Sequence, residues 1–153
     1  MRLYRLTHER HATTPADLLS GEGARINGGR WNSKGTALIY TATHVSLAVL
    51  ETLVHSSALP VGMVIVEYDV PDSSTLDHWP AHTLPRGWRS YPVPATNQVL
   101  GDAWVTGKRA LAVEVPSVVV PHESNWLVNP GHPEIRTVTV AVLDPFVFDA
   151  RLV

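Results

Sequence analysis

Met63-Val64-Ile65-Val66-Glu67-Tyr68-Asp69-Val70 is a run of β-branched and aromatic residues in which Glu67 and Asp69, two apart, mark one face. That alternation describes a strand with one face against a core. On its N-terminal side, Thr43 can cap a helix that runs to about Ser57 and shows the clearest helical period in the chain. Before it come strands at Ala37 to Thr41 and Leu3 to Leu6. Between those strands, Thr14 to Gly21 reads as one helical turn, with Thr14 as cap, Pro15 at the first position and Gly21 as the stop. A glycine-rich polar stretch then runs from Gly21 to Gly35. On the C-terminal side, Pro71 to Pro94 reads as loop with one short turn, and Ala95 to Thr106 as a second helix. Leu111–Val115, Ser117–Val120, Glu134–Val142 and Pro145–Phe148 read as further strands. Many short strands with two or three helices predict an α+β fold on a mostly antiparallel sheet.

The length, 153 residues, suits one domain spanning 1–153. A hydrophobic content of 44% is enough for a core and excludes an acidic disordered chain. Twelve Lys+Arg against fourteen Asp+Glu give a net charge of −2, which argues against direct nucleic-acid binding through a basic surface. There is no Cys, so no disulfide framework, iron–sulfur cluster or thiol nucleophile. The apolar runs are too short to span a bilayer, and Met1-Arg2-Leu3-Tyr4-Arg5 lacks a signal peptide's apolar stretch, so a cytoplasmic protein is expected.

Glu51 is the most informative single residue. With Leu47, Leu50, Val54 and Ala58 as the apolar stripe of its helix, it falls about 40° from Leu47, flanked on that side by His44 and His55. A carboxylate at that margin is solvated by a cleft, paired with a cation, or simply bent out to water. Gly28-Gly29-Arg30-Trp31-Asn32 is the second feature. Its glycines permit close backbone approach or positive φ, and Arg30 offers a planar charged fork suited to pyrophosphate or carboxylate. The bland reading is a tight turn with an exposed Arg. Neither a phosphate loop nor a Rossmann fingerprint is present. The third is Glu123 to Pro133, a polar loop pinned by Trp126, in which Ser124 lacks the context of a hydrolase nucleophile. Eight histidines are scattered without metal-ligand spacing, and no metal is expected.

Together these segments resemble the RES domain, the toxin half of Xre–RES toxin–antitoxin pairs, a family named for an Arg, a Glu and a Ser. The resemblance rests on Gly28-Gly29-Arg30-Trp31-Asn32, on Tyr40 in Leu38-Ile39-Tyr40-Thr41, and on Ala48-Val49-Leu50-Glu51 with Leu53-Val54-His55. It continues with Ser124-Asn125-Trp126-Leu127-Val128-Asn129-Pro130, His132-Pro133 and the ending Asp144 to Leu152, nearly the whole chain. Gly131 and Ala150 depart from the expected pattern, beside the motifs and not in them.

The resemblance implies an ADP-ribosyltransferase-like split sheet around a central cleft, NAD as substrate, and rupture of its nicotinamide–ribose bond with water or phosphate as acceptor. It implies Arg30, Tyr40 and Glu51 as catalytic residues. Contacts to NAD would come from Arg5, Gly29, Arg30, Trp31, Asn32, Tyr40, Ser124 and Asn125, with Trp31 and Trp126 chiefly packing the loops. An Xre-like helix-turn-helix antitoxin is the implied partner, and a homodimer within that complex is compatible. Two alternatives stay open: transfer of ADP-ribose to a cellular protein, and a non-catalytic nucleotide- or partner-binding module.

Overall fold

The computed structural model describes residues 1–152. Among them the strands are β1 (Arg2–His8), β2 (Ile39–Ala42), β3 (Met63–Asp69), β4 (Leu76–His78), β5 (Ala112–Pro116), β6 (Ser124–Val128) and β7 (Thr139–Phe146). The helices are α1 (Pro15–Leu18), α2 (Glu22–Asn27), α3 (Val45–Leu53) and α4 (Ala95–Gly107), with short 3-10 turns between elements. The strands form one sheet in the order β4-β5-β6-β2-β1-β3-β7. Only β4 against β5 is parallel, so the expected α+β, mostly antiparallel architecture is what the chain adopts.

The sheet is split at its centre. Among the described residues β1 and β2 share the single rung Tyr4↔Ala42, whereas β1 and β3 are paired from Arg2↔Asp69 to His8↔Met63. Because side chains alternate along a strand, the pairings fix two faces. Leu3, Ile39, Val66, Tyr68, Trp126 and Val128 share one face and one core cluster, closed by Leu18 of α1. The other face carries Tyr4, Leu6, Ala42, Asn125 and Leu127. There α3 covers β1, β2 and β3 through Leu47, Ala48 and Val49. Over β5 and β6 the same face is covered by Trp31, Trp88 and Trp104.

Local chemistry accounts for the helix ends. Thr14 caps α1 with Pro15 at its first position, as the sequence predicts, and Asp17 completes a capping box; the helix ends at Leu18, and Gly21 is the N-cap of α2 and not the stop of α1. His44, not Thr43, is the N-cap of α3. That helix stops at Leu53, where the Thr52 hydroxyl bonds back to the Ala48 carbonyl and Ser56 to Thr52, side-chain bonds that compete with the ladder. His55 therefore lies beyond the helix. The apolar stripe also differs from the reading: Leu50 and Val54 are exposed, while Leu47, Ala48 and Val49 are buried. The two halves of the sheet take different sides of this helix, so one stripe does not describe it.

Five other assignments change. Glu22–Asn27 is helical within the glycine-rich stretch, Leu76–His78 is a strand inside the expected loop, and Ser124–Val128 is a strand where a polar loop was read. Ser117–Val120 is a bend and not a strand, while the first half of Glu134–Val142 is a 3-10 turn, Pro133–Thr137. The two new strands turn on pairing partners outside their own segments, whereas the bend after Pro116 is made locally by the Ser117 hydroxyl.

Tyr68 is fully buried, and its hydroxyl donates to the Leu18 carbonyl at 2.9 Å, tying α1 to the sheet. Tyr68→Phe leaves that carbonyl unpaired and is expected to cost about 1–2 kcal/mol, measurable as a lowered urea midpoint at unchanged slope.

Candidate functional site

Glu51 projects from α3 toward the seam between that helix and the tryptophan-lined half of the same face. Its Oε1 accepts two hydrogen bonds, from the Ser117 hydroxyl at 2.8 Å and from the Asn125 amide at 2.6 Å. Asn125 belongs to β6 and is paired with Ala42, so it faces α3 by strand alternation. Ser117 follows Pro116, the last residue of β5, and is almost wholly buried. Its oxygen accepts the backbone N–H groups of Val119 and Val120, both at 3.0 Å, which leaves its one proton for Glu51. Both donors serve the same carboxylate oxygen. Among the described residues Oε2 has no hydrogen-bond partner.

Arg30 lies within electrostatic reach of this carboxylate. Burial pushes its guanidinium down from its ordinary value, and the Glu51 carboxylate, then Tyr40, oppose that shift. Its NH1 donates to the carbonyls of Trp88 at 2.7 Å and Ser90 at 3.1 Å. NH1 is thus fastened to the protein, while Nε and NH2 have no hydrogen-bond partner among the described residues. The glycines before it have distinct roles. Gly28 takes φ 71°. At Gly29 a Cβ would stand 2.5 Å from the Tyr40 hydroxyl and 2.9 Å from the Asn32 side-chain oxygen.

That close approach makes a latch. The Tyr40 hydroxyl donates to Asn32 Oδ1 at 2.7 Å and accepts from the Trp31 N–H at 3.0 Å. Burial pushes the phenol well above its usual range, so it stays protonated. Asn32 is fully buried, and its amide is spent on the carbonyls of Ala24, Ser33 and Thr36. Trp31 is buried too, stacked at 30° on Trp88 with centroids 6.0 Å apart.

The structure therefore brings Arg30, Tyr40, Glu51 and Asn125 to one seam and adds Ser117, which the sequence reading passed over as strand. The prolines at 116 and 121 that bracket this segment, with a Ser right after the first, were the available sign of a side-chain-capped turn. Ser124 is not brought to this seam. It shares a face with Trp126, opposite Asn125, because neighbours on a strand point to opposite sides. There it borders a hollow of about 220 Å³ with His78, Trp79 and Glu114, away from Glu51. Arg5 is not brought to the seam either: it leaves β1 on the Leu3 face, on the same side of the sheet as Val66 and Tyr68. Asn32 and Trp31 are buried scaffold: the Asn32 side chain is bonded within the protein, and the Trp31 ring packs on Trp79 and Trp88.

The sequence pattern described as the RES domain matches residues 2–149. The chain belongs to the RES domain family. Among relatives of this RES domain, "Toxin Res" of Yersinia enterocolitica is 41% identical over 155 residues, covering 99% of each chain. "Prs ADP-ribosylating toxin" of Sphingobium sp. is 39% identical over 145 residues, covering 92% of this chain and 90% of the relative. A solved structure of the M. tuberculosis MbcT–MbcA toxin–antitoxin complex contains a chain with the same fold at TM-score 0.62. It has 22% identity and covers 94% of this RES domain and 84% of that chain.

The two serines of this RES domain make opposite predictions. Ser117→Ala strips an acceptor from two amides and a donor from Glu51, and is expected to cost about 1–3 kcal/mol by chemical denaturation. Ser124→Ala, at a partly exposed position, is expected to stay within about 0.5 kcal/mol.

Proposed function

We propose that the protein is the toxin of a bacterial toxin–antitoxin pair and that it breaks the nicotinamide–ribose bond of NAD. One observation carries the reading: a carboxylate held at one oxygen by Ser117 and Asn125, with its other oxygen open and a guanidinium close enough to feel its charge. The names borne by the relatives, "Toxin Res" and "Prs ADP-ribosylating toxin", support it.

The chemistry suits those groups. Nicotinamide in NAD is already cationic, so it departs with the electron pair of its bond to ribose and needs no proton. The ribose left behind has oxocarbenium character, the charge type that carboxylates stabilise in glycoside cleavage. Glu51 Oε2 serves the developing positive charge or the ribose hydroxyls, while Oε1 stays fixed so that little reorganisation accompanies the reaction. The free edge of Arg30 binds the diphosphate and sets the orientation of the dinucleotide. Tyr40 has its hydroxyl committed to the latch, so it is the ring that meets the nicotinamide end and shields it from water. Water or phosphate then adds to the ribose carbon and gives up a proton.

A second reading, transfer of ADP-ribose to a cellular protein, is favoured by the name of the Sphingobium relative, "Prs ADP-ribosylating toxin". In either reading the cytoplasmic NAD pool is consumed, and the host needs a neutraliser. We place an antitoxin of the Xre-like helix-turn-helix type in that role, covering the seam at Arg30 and Glu51, with DNA contact left to the antitoxin. A homodimer of the toxin inside that complex is compatible with this arrangement. If the complex bound NAD as tightly as the free protein, that mode of neutralisation would fall.

The decisive assay follows free nicotinamide from NAD incubated with pure protein, with and without phosphate. Release is expected, and its absence under both conditions overturns the proposal. Glu51→Gln, which keeps shape and loses charge, is expected to lower the rate by a factor on the order of 10²–10³ with the fold intact by circular dichroism. With NAD labelled in its adenylate half, soluble ADP-ribose or its phosphate signals breakdown, whereas label on protein signals transfer.

A further inference from the structure

Arg30 is fastened to a segment that the reaction has not yet used. Its NH1 bonds the carbonyls of Trp88 and Ser90, and the Trp88 carbonyl also accepts the Asn97 side chain at 2.8 Å. The segment is held in shape by its own turns, Trp88 N–H to the Pro85 carbonyl at 3.0 Å and Ser90 N–H to the Gly87 carbonyl at 2.8 Å, with Gly87 at φ 75°. Its outer surface has a definite chemistry. From Trp79 to Ala95 there is no Asp or Glu, in a chain whose net charge is −2, while Arg86 and Arg89 are both exposed. The Arg89 guanidinium sits 5.0 Å from the centroid of the buried Trp88 ring. Two residues on in the chain, the large aromatic ring of Tyr91 is 86% exposed.

We propose that residues 85–92 form the subsite for the adenylate half of the dinucleotide, with Arg89 on phosphate and Tyr91 stacked on the base. The inference rests on NAD being the substrate. With the nicotinamide riboside end at Glu51 and the diphosphate at Arg30, the adenylate continues past Arg30, and the segment bonded to Arg30 is the one that meets it. Cations paired with an exposed aromatic ring suit a nucleotide: the cations take phosphate charge and the ring takes the π-face of a base. Arg89 rests on Trp88 by cation–π attraction, so less side-chain freedom is lost when phosphate binds.

The test compares NAD with nicotinamide mononucleotide, which carries the scissile bond and lacks the adenylate. For Arg89→Ala and for Tyr91→Ala, the ratio of kcat/KM on NAD to that on the mononucleotide is expected to fall about five- to tenfold. A merely structural role would lower both substrates together, and an unchanged ratio overturns the subsite. Equilibrium binding of ADP needs no turnover: it is expected to weaken by a similar factor in each variant. No ADP binding by the unaltered protein, or equal binding by the variants, also overturns it. Failure to cleave either substrate instead counts against the proposed reaction, and ADP binding still decides the subsite.

Discussion

The Glu51 carboxylate joins two halves of a sheet that hardly touch each other. It is carried by α3, which packs on β1, β2 and β3, and it is gripped by Ser117, just after β5, and by Asn125 of β6. The backbone link between β1 and β2 is a single rung, so this side-chain bridge is part of what holds the seam in register. A half-buried carboxylate costs desolvation energy unless it is hydrogen-bonded, and two donors on one oxygen meet that cost while leaving the other oxygen free. The constraint that fixes the geometry also leaves the charge available.

The opposite wall depends on a second constraint, the absence of a side chain at Gly29. Only hydrogen at that α-carbon lets the Tyr40 hydroxyl reach Asn32 and the Trp31 N–H. Trp31 then fills the aromatic layer with Trp79, Trp88 and Trp104, whose rings meet at 5.7–6.0 Å, and Trp104 is anchored by Asp77 at 2.8 Å. Arg30, between Gly29 and Trp31, is carried into place by neighbours that are themselves immobile. Its bonds to the Trp88 and Ser90 carbonyls close the frame, so both charged groups at the seam are oriented by polar contacts to the surrounding protein and not by one another.

The fold class was legible because alternation in Met63–Val70 and the capping signals at Thr14–Pro15 are local effects. Glu51 and Arg30 stood out for the same reason: a charge at the margin of a helix and a charge after two glycines conflict with their local surroundings. Ser124–Val128 was not legible as a strand. Its polar first residues look like loop until Thr41, Ala42, Val115 and Pro116 are seen to pair with it. Ser117 was hidden by the valines after it, which have strand propensity yet form a bend because Ser117 caps their amides.

The amino-acid sequence by itself determined that there would be an α+β sheet and that an acid on a helix and an arginine after paired glycines would be its chemical landmarks. Membership of the RES family was carried by those same residues in order. Tertiary structure alone decided which polar residues meet the acid. Ser124 and Asn125 are adjacent in the chain, yet pleating sends them to opposite faces, and only the pairing of β6 with β2 and β5 fixes which one faces Glu51. Residue order is one-dimensional, whereas the choice of face is made by register between strands more than eighty residues apart.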